Sequence, residues 1–152
     1  VTTFQKGFPL PISFGGSNGI SNAGFSQNFQ LRPNVVPGCN KSTARVPSSA
    51  GFSWFNQNCF TAPAEWGFGD ESRVDATLRG AGINNWDFAL FKTTNFGPEN
   101  KLGLQFRTEF FNTFNRVQFG PPGGTLGSST FGIVNSQLNN PRLIQFALKF
   151  LF

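Results

Sequence analysis

Residues 142–152 constrain the fold more than any other stretch of this chain. Ile144, Phe146, Leu148, Phe150 and Phe152 alternate with Leu143, Gln145, Ala147, Lys149 and Leu151. One face of such a strand is wholly apolar and the other carries Gln145 and Lys149. That period of two belongs to a β-strand. Residues 101–111 repeat it, with Leu102, Leu104, Phe106 and Phe110 on one face and Gly103, Gln105, Arg107 and Glu109 on the other. In residues 86–96, Trp86, Phe88 and Leu90 share a face, while Asp87 and Ala89, with Lys92, lie near or on the opposite one. A Gly-Pro-Glu-Asn turn at 97–100 separates these two strands, and Val1–Lys6 reads like the middle of another. The expected fold class is all-β: antiparallel strands at 1–6, 86–96, 101–111 and 142–152, joined by long Gly/Pro/Asn-rich loops.

Alternation also occurs in soluble sandwiches, so length and termination decide which solvent the apolar face meets. Eleven residues span roughly 37 Å, or roughly 26 Å across a layer at a 45° tilt, which matches the apolar band of an outer-membrane barrel. A bare apolar strand ending in Phe152 resembles the C-terminal signature that outer-membrane proteins present to their insertion machinery. In water the same edge would invite aggregation. If the last strand descends to the periplasm, 97–100 is a short periplasmic turn, and residues 112–141 and about 8–85 are extracellular loops. Short turns on one side and long loops on the other is the asymmetry of such barrels. The membrane-facing or assembly set is then Trp86, Phe88, Leu90, Leu102, Leu104, Phe106, Phe110, Ile144, Phe146, Leu148, Phe150 and Phe152. The lumen-facing polar set is Asp87, Gln105, Arg107, Glu109, Gln145 and Lys149, expected to pair across a wet interior rather than to hold a substrate. Four strands cannot close a barrel, since even the smallest have about eight. The segment is therefore expected to complete its strand pairing with other chain or with other subunits.

Composition removes the competing classes. The chain has 152 residues with 21 Phe but no Tyr, His or Met, and 12% of it is charged. The aromatics argue against a charged disordered tail. The 18 Gly and 10 Pro break helices, which excludes a coiled coil. The apolar runs are far too short for a spanning helix. Without histidine no Ser-His-Asp or Cys-His arrangement exists, nor a His-containing zinc site, and the chain is expected not to be an enzyme. Asp70, Glu71 and Asp75 do not have the spacing of an EF-hand, so no metal and no cofactor is expected. Residues 15–24 resemble a phosphate-cradling loop only in composition, because they follow no buried strand and open no helix. The net charge is +5. Its basic residues are scattered rather than interleaved with stacking aromatics, which argues against nucleic acid and would suit a polyanionic lipid surface. Cys39 and Cys59, 20 positions apart among Gly, Ser and Asn, look like one disulfide in an oxidising compartment, the alternative being two partly buried thiols. Val1 is preceded by no leader pattern, and a piece of a longer polypeptide is expected.

The chain divides at residue 85. Residues 1–85 hold the first strand remnant and a long disulfide-stapled extracellular loop, in which Phe52-Ser53-Trp54-Phe55 and Glu65-Trp66-Gly67-Phe68 would anchor the loop on an apolar surface. Residues 86–152 hold three antiparallel strands. An ordered series runs through both parts: Trp54-Phe55-Asn56 with Cys59-Phe60, Leu78-Arg79-Gly80, Asn84-Asn85-Trp86-Asp87 and Leu90-Phe91-Lys92. Leu104-Gln105-Phe106-Arg107, Glu109-Phe110-Phe111-Asn112, Phe114-Asn115 and Phe119-Gly120 continue it. Phe131-Gly132, Pro141-Arg142 and Gln145-Phe146-Ala147-Leu148-Lys149 complete it. The series resembles the C-terminal end of the Oar-like TonB-dependent outer-membrane receptors, most specifically over residues 52–152. The resemblance implies a structural, non-catalytic part of a transport barrel in the outer membrane or at the extracellular surface of a Gram-negative-type cell. Its expected partners are the remaining strands of the parent barrel and outer-membrane lipid. An alternative is a released fragment that pairs with copies of itself by strand complementation into an extracellular filament.

Overall fold

A computed structural model describes residues 1–19, 30–42 and 45–152. The second half of the phosphate-loop-like stretch, residues 20–24, lies outside the described residues. In chain order the strands are β1 (Thr2–Gln5), β2 (Pro9–Leu10), β3 (Ser13–Phe14), β4 (Asn34–Val35), β5 (Pro47–Ser48), β6 (Gly51–Ser53) and β7 (Phe60–Thr61). They continue with β8 (Asp75–Arg79), β9 (Ile83–Trp86), β10 (Phe88–Phe96), β11 (Leu102–Phe111), β12 (Thr125–Leu126), β13 (Ile133–Val134) and β14 (Leu143–Leu151). The fold is all-β, and its sheets do not close into a barrel.

Packing divides the chain into two discontinuous units rather than at a single point. The first comprises Val1–Lys6, Gly82–Gln118 and Gln137–Phe152, and the second Gly7–Ala81 and Phe119–Ser136. The first strand thus packs with the late strands, and part of the late loop packs with the early one.

The first unit is an antiparallel meander. β10 pairs with β11 from Phe88↔Phe110 to Phe96↔Leu102, and β11 pairs with β14 from Gly103↔Leu151 to Phe111↔Leu143. β9 runs on into β10 after an interruption at Asp87, and pairs with β1 from Thr2↔Trp86 to Gln5↔Ile83. The hairpin between β10 and β11 turns at Gly97, whose φ of 81° lies in the left-handed region that glycine adopts without steric cost. The four expected strands are present, each within a few residues of its expected ends.

The second unit is built from strands mostly two or three residues long. β2 pairs with β8, β4 with β7, β5 with β6, and β6 with β13, all antiparallel, while β3 and β12 are parallel. At Gly51 an added Cβ would lie 2.1 Å from the Val134 carbonyl oxygen, so only glycine lets β6 approach β13 this closely. Ladders this short contribute few hydrogen bonds, and a compact core carries the unit. Leu10, Ile12, Phe55, Cys59, Phe60, Leu78 and Phe131 are buried together. Phe55, Phe60 and Phe131 meet edge to face with centroids 5.2–5.7 Å apart. Cys39 and Cys59 form the disulfide, with Cα atoms 5.4 Å apart. Of the two aromatic clusters expected to anchor this region, the first does so: Phe55 is buried, and Phe52 and Trp54 pack on Phe119. Trp66 and Phe68 of the second are largely exposed. The extracellular-loop expectation for this stretch thus concerns a folded, cored unit and not an open loop.

Candidate functional site

The register of the meander sorts its side chains onto two faces. Phe88, Leu90 and Phe96 of β10, Leu102, Leu104, Phe106 and Phe110 of β11, and Ile144, Phe146, Leu148 and Phe150 of β14 share one face. Trp86 of β9 continues it. All the apolar residues singled out in the sequence lie on this face or, for Phe152, just past the end of β14. Most of them are exposed, Phe146 at 66% and Leu148 at 68%, while Leu102 and Phe110 are half-buried. Among the residues of the three-stranded ladder, only Lys92, Thr94 and Thr108 interrupt the apolar surface. Lys92 is a correction. It was expected near or on the polar face, but pairing with Phe106 sets it on the apolar one. It lies four positions from Phe88 and two from Leu90, and a regular strand returns it to their side.

Aromatic rings lie at both ends of this face and, as the stacked Phe106–Phe146 pair, also near its middle. At one end the Trp86 ring meets Phe4 and Phe114 edge to face, with centroids 5.6 and 5.7 Å away. At the other end Phe150 lies 6.0 Å from Phe96 and 6.1 Å from Phe152. Leu90, Leu104, Phe106, Phe146 and Leu148 lie between. An apolar band flanked by aromatic girdles is the outer surface of an outer-membrane barrel. The sequence reading found the band but not the girdles, which need the pairing of β1 and the path after β11 to bring Phe4 and Phe114 to Trp86.

The opposite face carries Gln105, Arg107 and Glu109 of β11 with Gln145 and Lys149 of β14. Gln105 stands opposite Lys149, and Glu109 opposite Gln145. The Gln105 amide donates to Thr93 Oγ1 at 3.1 Å, and Arg107 forms an ion pair with Glu109 two residues along the same strand. These five residues lie together as the alternation requires. Asp87 has a different setting, in the interruption between β9 and β10. Its Oδ1 accepts from the Asn85 side chain at 3.0 Å and from the Asn112 backbone N–H at 2.9 Å.

Asp87 belongs to a polar rim that sequence reasoning missed. Asn112, directly after β11, has φ 50°, and its buried amide donates to the carbonyls of Arg116 and Asn140 at 3.0 and 3.1 Å. Its Oδ1 accepts from Arg116 N at 2.8 Å. Asn115, also at φ 50°, accepts from Arg142 N, and Asn139 accepts from Gln118 N while donating to Arg116. Asparagine tolerates the left-handed conformation, which is why it turns the chain here. The rim borders a cleft of about 320 Å³ lined by Asn85, Asp87, Phe111 and Asn139 among others. The available signal was the density of Asn around 112–115 and 139–140, which by itself reads only as loop.

In the second unit, Lys41 lies between two buried carboxylates, Asp75 Oδ2 at 2.6 Å and Glu71 Oε2 at 3.0 Å. Burial alone would lower the Lys41 pKa, but the hydrogen bonds and charges of Asp75 and Glu71 outweigh it and raise it above the ordinary value. Burial would likewise raise that of Asp75, and hydrogen bonds from Lys41 and Thr77 instead hold it below the ordinary value. Asp70, the third acidic residue of this stretch, instead accepts from Val35 N at 2.7 Å. Two of the acids weighed for calcium thus share a cation of the protein itself, and no group of acids that could hold a metal occurs among the described residues.

A family model described as an outer membrane beta barrel domain matches residues 1–145. The chain belongs to this family. It is an outer-membrane barrel protein. No curated protein matches the chain. No solved structure matches it either. Among the described residues no helix is long and apolar enough to cross a membrane.

Proposed function

We propose that this barrel domain is the C-terminal part of a TonB-dependent receptor of the Oar-like kind, a structural element of an energised transporter wall. The observation that carries the reading is the sheet itself: a girdled apolar face, a polar opposite face and unpaired edges. In this reading the apolar face meets lipid, and Gln105, Arg107, Glu109, Gln145 and Lys149 line the lumen. The chain leaves the sheet for the second unit from the end that holds Gln5, Ile83, Phe111 and Leu143, while the short 97–100 turn closes the other end. That asymmetry supports an extracellular second unit with its disulfide outside the cell. The TonB-dependent assignment rests on the ordered motifs from Trp54-Phe55-Asn56 to Gln145-Phe146-Ala147-Leu148-Lys149. No catalytic step is assigned to the chain, and lipid and the other strands of the barrel are its partners.

The outer edge of β14 and the β10 edge away from β11 have no partner among the described strands. In lipid each unpaired backbone group costs several kcal/mol, so those edges must be occupied. The free edges also favour a second reading, in which copies of the chain complement one another in an extracellular filament. Isolation of the native particle separates the two. Detergent-solubilised, heat-modifiable material carrying further receptor sequence is the expected result. A detergent-free polymer of this chain alone would replace the receptor by the filament.

A further inference from the structure

The β10 edge carries more information than the fact that it is open. β1 pairs with β9, and the same register holds at Val1, one residue before β1: the Asp87 N–H donates to the Val1 carbonyl at 2.8 Å, and the Val1 nitrogen donates to the Asp87 carbonyl at 2.6 Å. The lane occupied by β1 therefore points straight along β10, whose nine residues have nothing on that side among the described residues. Continued one residue at a time, the same register sets the first residue before Val1 opposite Phe88, the third opposite Leu90, the fifth opposite Lys92 and the ninth opposite Phe96.

Lys92 specifies the chemistry of whatever fills the lane. It lies at the middle of β10, on the apolar face, and no carboxylate among the described residues forms an ion pair with it. A lysine near the midplane of a lipid-facing surface costs about 2–4 kcal/mol unless it is paired or reaches the interface. β11, on its other side, offers Phe106 directly opposite and Leu104 and Thr108 on the diagonals, none of them charged. The remaining neighbour is the empty lane.

Strand direction and charge also discriminate among occupants. β10 and β14 are each antiparallel to β11 and so parallel to one another. A second copy offering its β14 would make a parallel pair in a wall that is otherwise antiparallel. A second copy offering its β10 through a two-fold axis would set Lys92 opposite its own counterpart at full overlap, and like charges directly opposite are destabilising.

We propose that the free edge of β10 seats a nine-residue strand of the longer polypeptide that runs directly into β1, and that this strand carries a carboxylate on the apolar face beside Lys92. The proposal rests on the barrel reading above and adds to it a register, a direction and a charge. The test is made on the full-length protein in native outer membranes. Leu90→Cys is combined with cysteine at the second, third or fourth residue before Val1. The Val1–Asp87 pair exchanges both main-chain hydrogen bonds, so the pair containing Leu90 is of the closer, non-hydrogen-bonded type. Mild oxidation is expected to cross-link the third position within one chain, at least tenfold more than either neighbour. Separately, Lys92→Glu is expected to lower the heat-modifiable folded fraction at least tenfold, and lysine at the acidic upstream position is expected to restore it. A membrane-inserted, heat-modifiable protein with no cross-link at the third position would overturn the proposal and leave the barrel reading standing. A Leu90→Cys cross-link between two chains would overturn it in favour of a second copy. Lys92→Leu giving more folded protein than the parent would remove the carboxylate. Absence of the protein from the outer membrane would refute the barrel reading and this proposal with it.

Discussion

The two units of this chain reach stability by opposite means. The sheet unit has ladders of up to nine pairs and keeps large apolar side chains exposed on one face, with Phe88, Leu90, Phe106, Phe146 and Leu148 all open. The second unit has two-residue ladders but buries Phe55, Phe60 and Phe131 around a disulfide. The first is organised for a surrounding apolar solvent, where backbone pairing is obligatory and side-chain burial comes from lipid. The second is organised for water, where a dry core must be made internally. Within one polypeptide, Phe is thus packed into a core in one unit and left on the sheet surface in the other.

The largest expected effect lies in the watery core. Phe55→Ala should cost about 3–5 kcal/mol, since the side chain is fully buried. Hydrogen exchange should rise in Gly7–Ala81 and Phe119–Ser136 and stay unchanged in β10, β11 and β14. An equal rise in both units would show that they are a single cooperative structure. Removing the disulfide with Cys39→Ala and Cys59→Ala should cost about 3 kcal/mol for a closure of this length, again confined to the second unit. On the sheet, Leu148→Arg should lower folding in the membrane by about 2–4 kcal/mol, read from heat-modifiable mobility, while Gln145→Arg should change it little. Equal effects of the two arginines would end the distinction between the faces.

At the rim, Asn112→Gly keeps a residue suited to φ 50° but removes the side-chain hydrogen bonds to the backbone of Arg116 and Asn140, and should cost about 0.5–1.5 kcal/mol. The smallest effect concerns pH. The depressed Asp75 pKa gives stability that is present above the ordinary carboxylate value of 3.8 and lost as pH falls through the lower folded value. The raised Lys41 pKa gives stability that is present below 10.5 and lost as pH rises through the higher folded value. Melting of the second unit against pH should show both flanks, and Asp75→Asn should remove the acid one.

The same contrast explains what the sequence made legible. Long strands bring residues of one face together by local alternation, so the apolar and polar sets of β10, β11 and β14 were readable from spacing alone. Lys92 was misplaced where the alternation broke into Phe91-Lys92-Thr93, and strand register rather than polarity decided its side. The second unit was legible only as Cys39 with Cys59 and as an aromatic cluster at 52–55. Its two-residue strands pair residues far apart, such as Ser13 with Thr125, and a pattern that short has no measurable period. Trp66 and Phe68 show the limit of inferring burial from aromatic character. The Asn112–Asp87 rim was hidden for a related reason, because its partners are backbone groups and backbone groups leave no mark on composition.

The central claim is that the even-numbered residues of β14 face lipid and the odd-numbered ones do not. Single cysteines placed at each position from 143 to 151 in the full-length protein, labelled with a fluorophore in native outer membranes, test it directly. Lipid-borne quenchers should reach labels at 144, 146, 148 and 150, and aqueous quenchers those at 143, 145, 147, 149 and 151. Uniform access of the aqueous quencher along the whole strand would contradict the account.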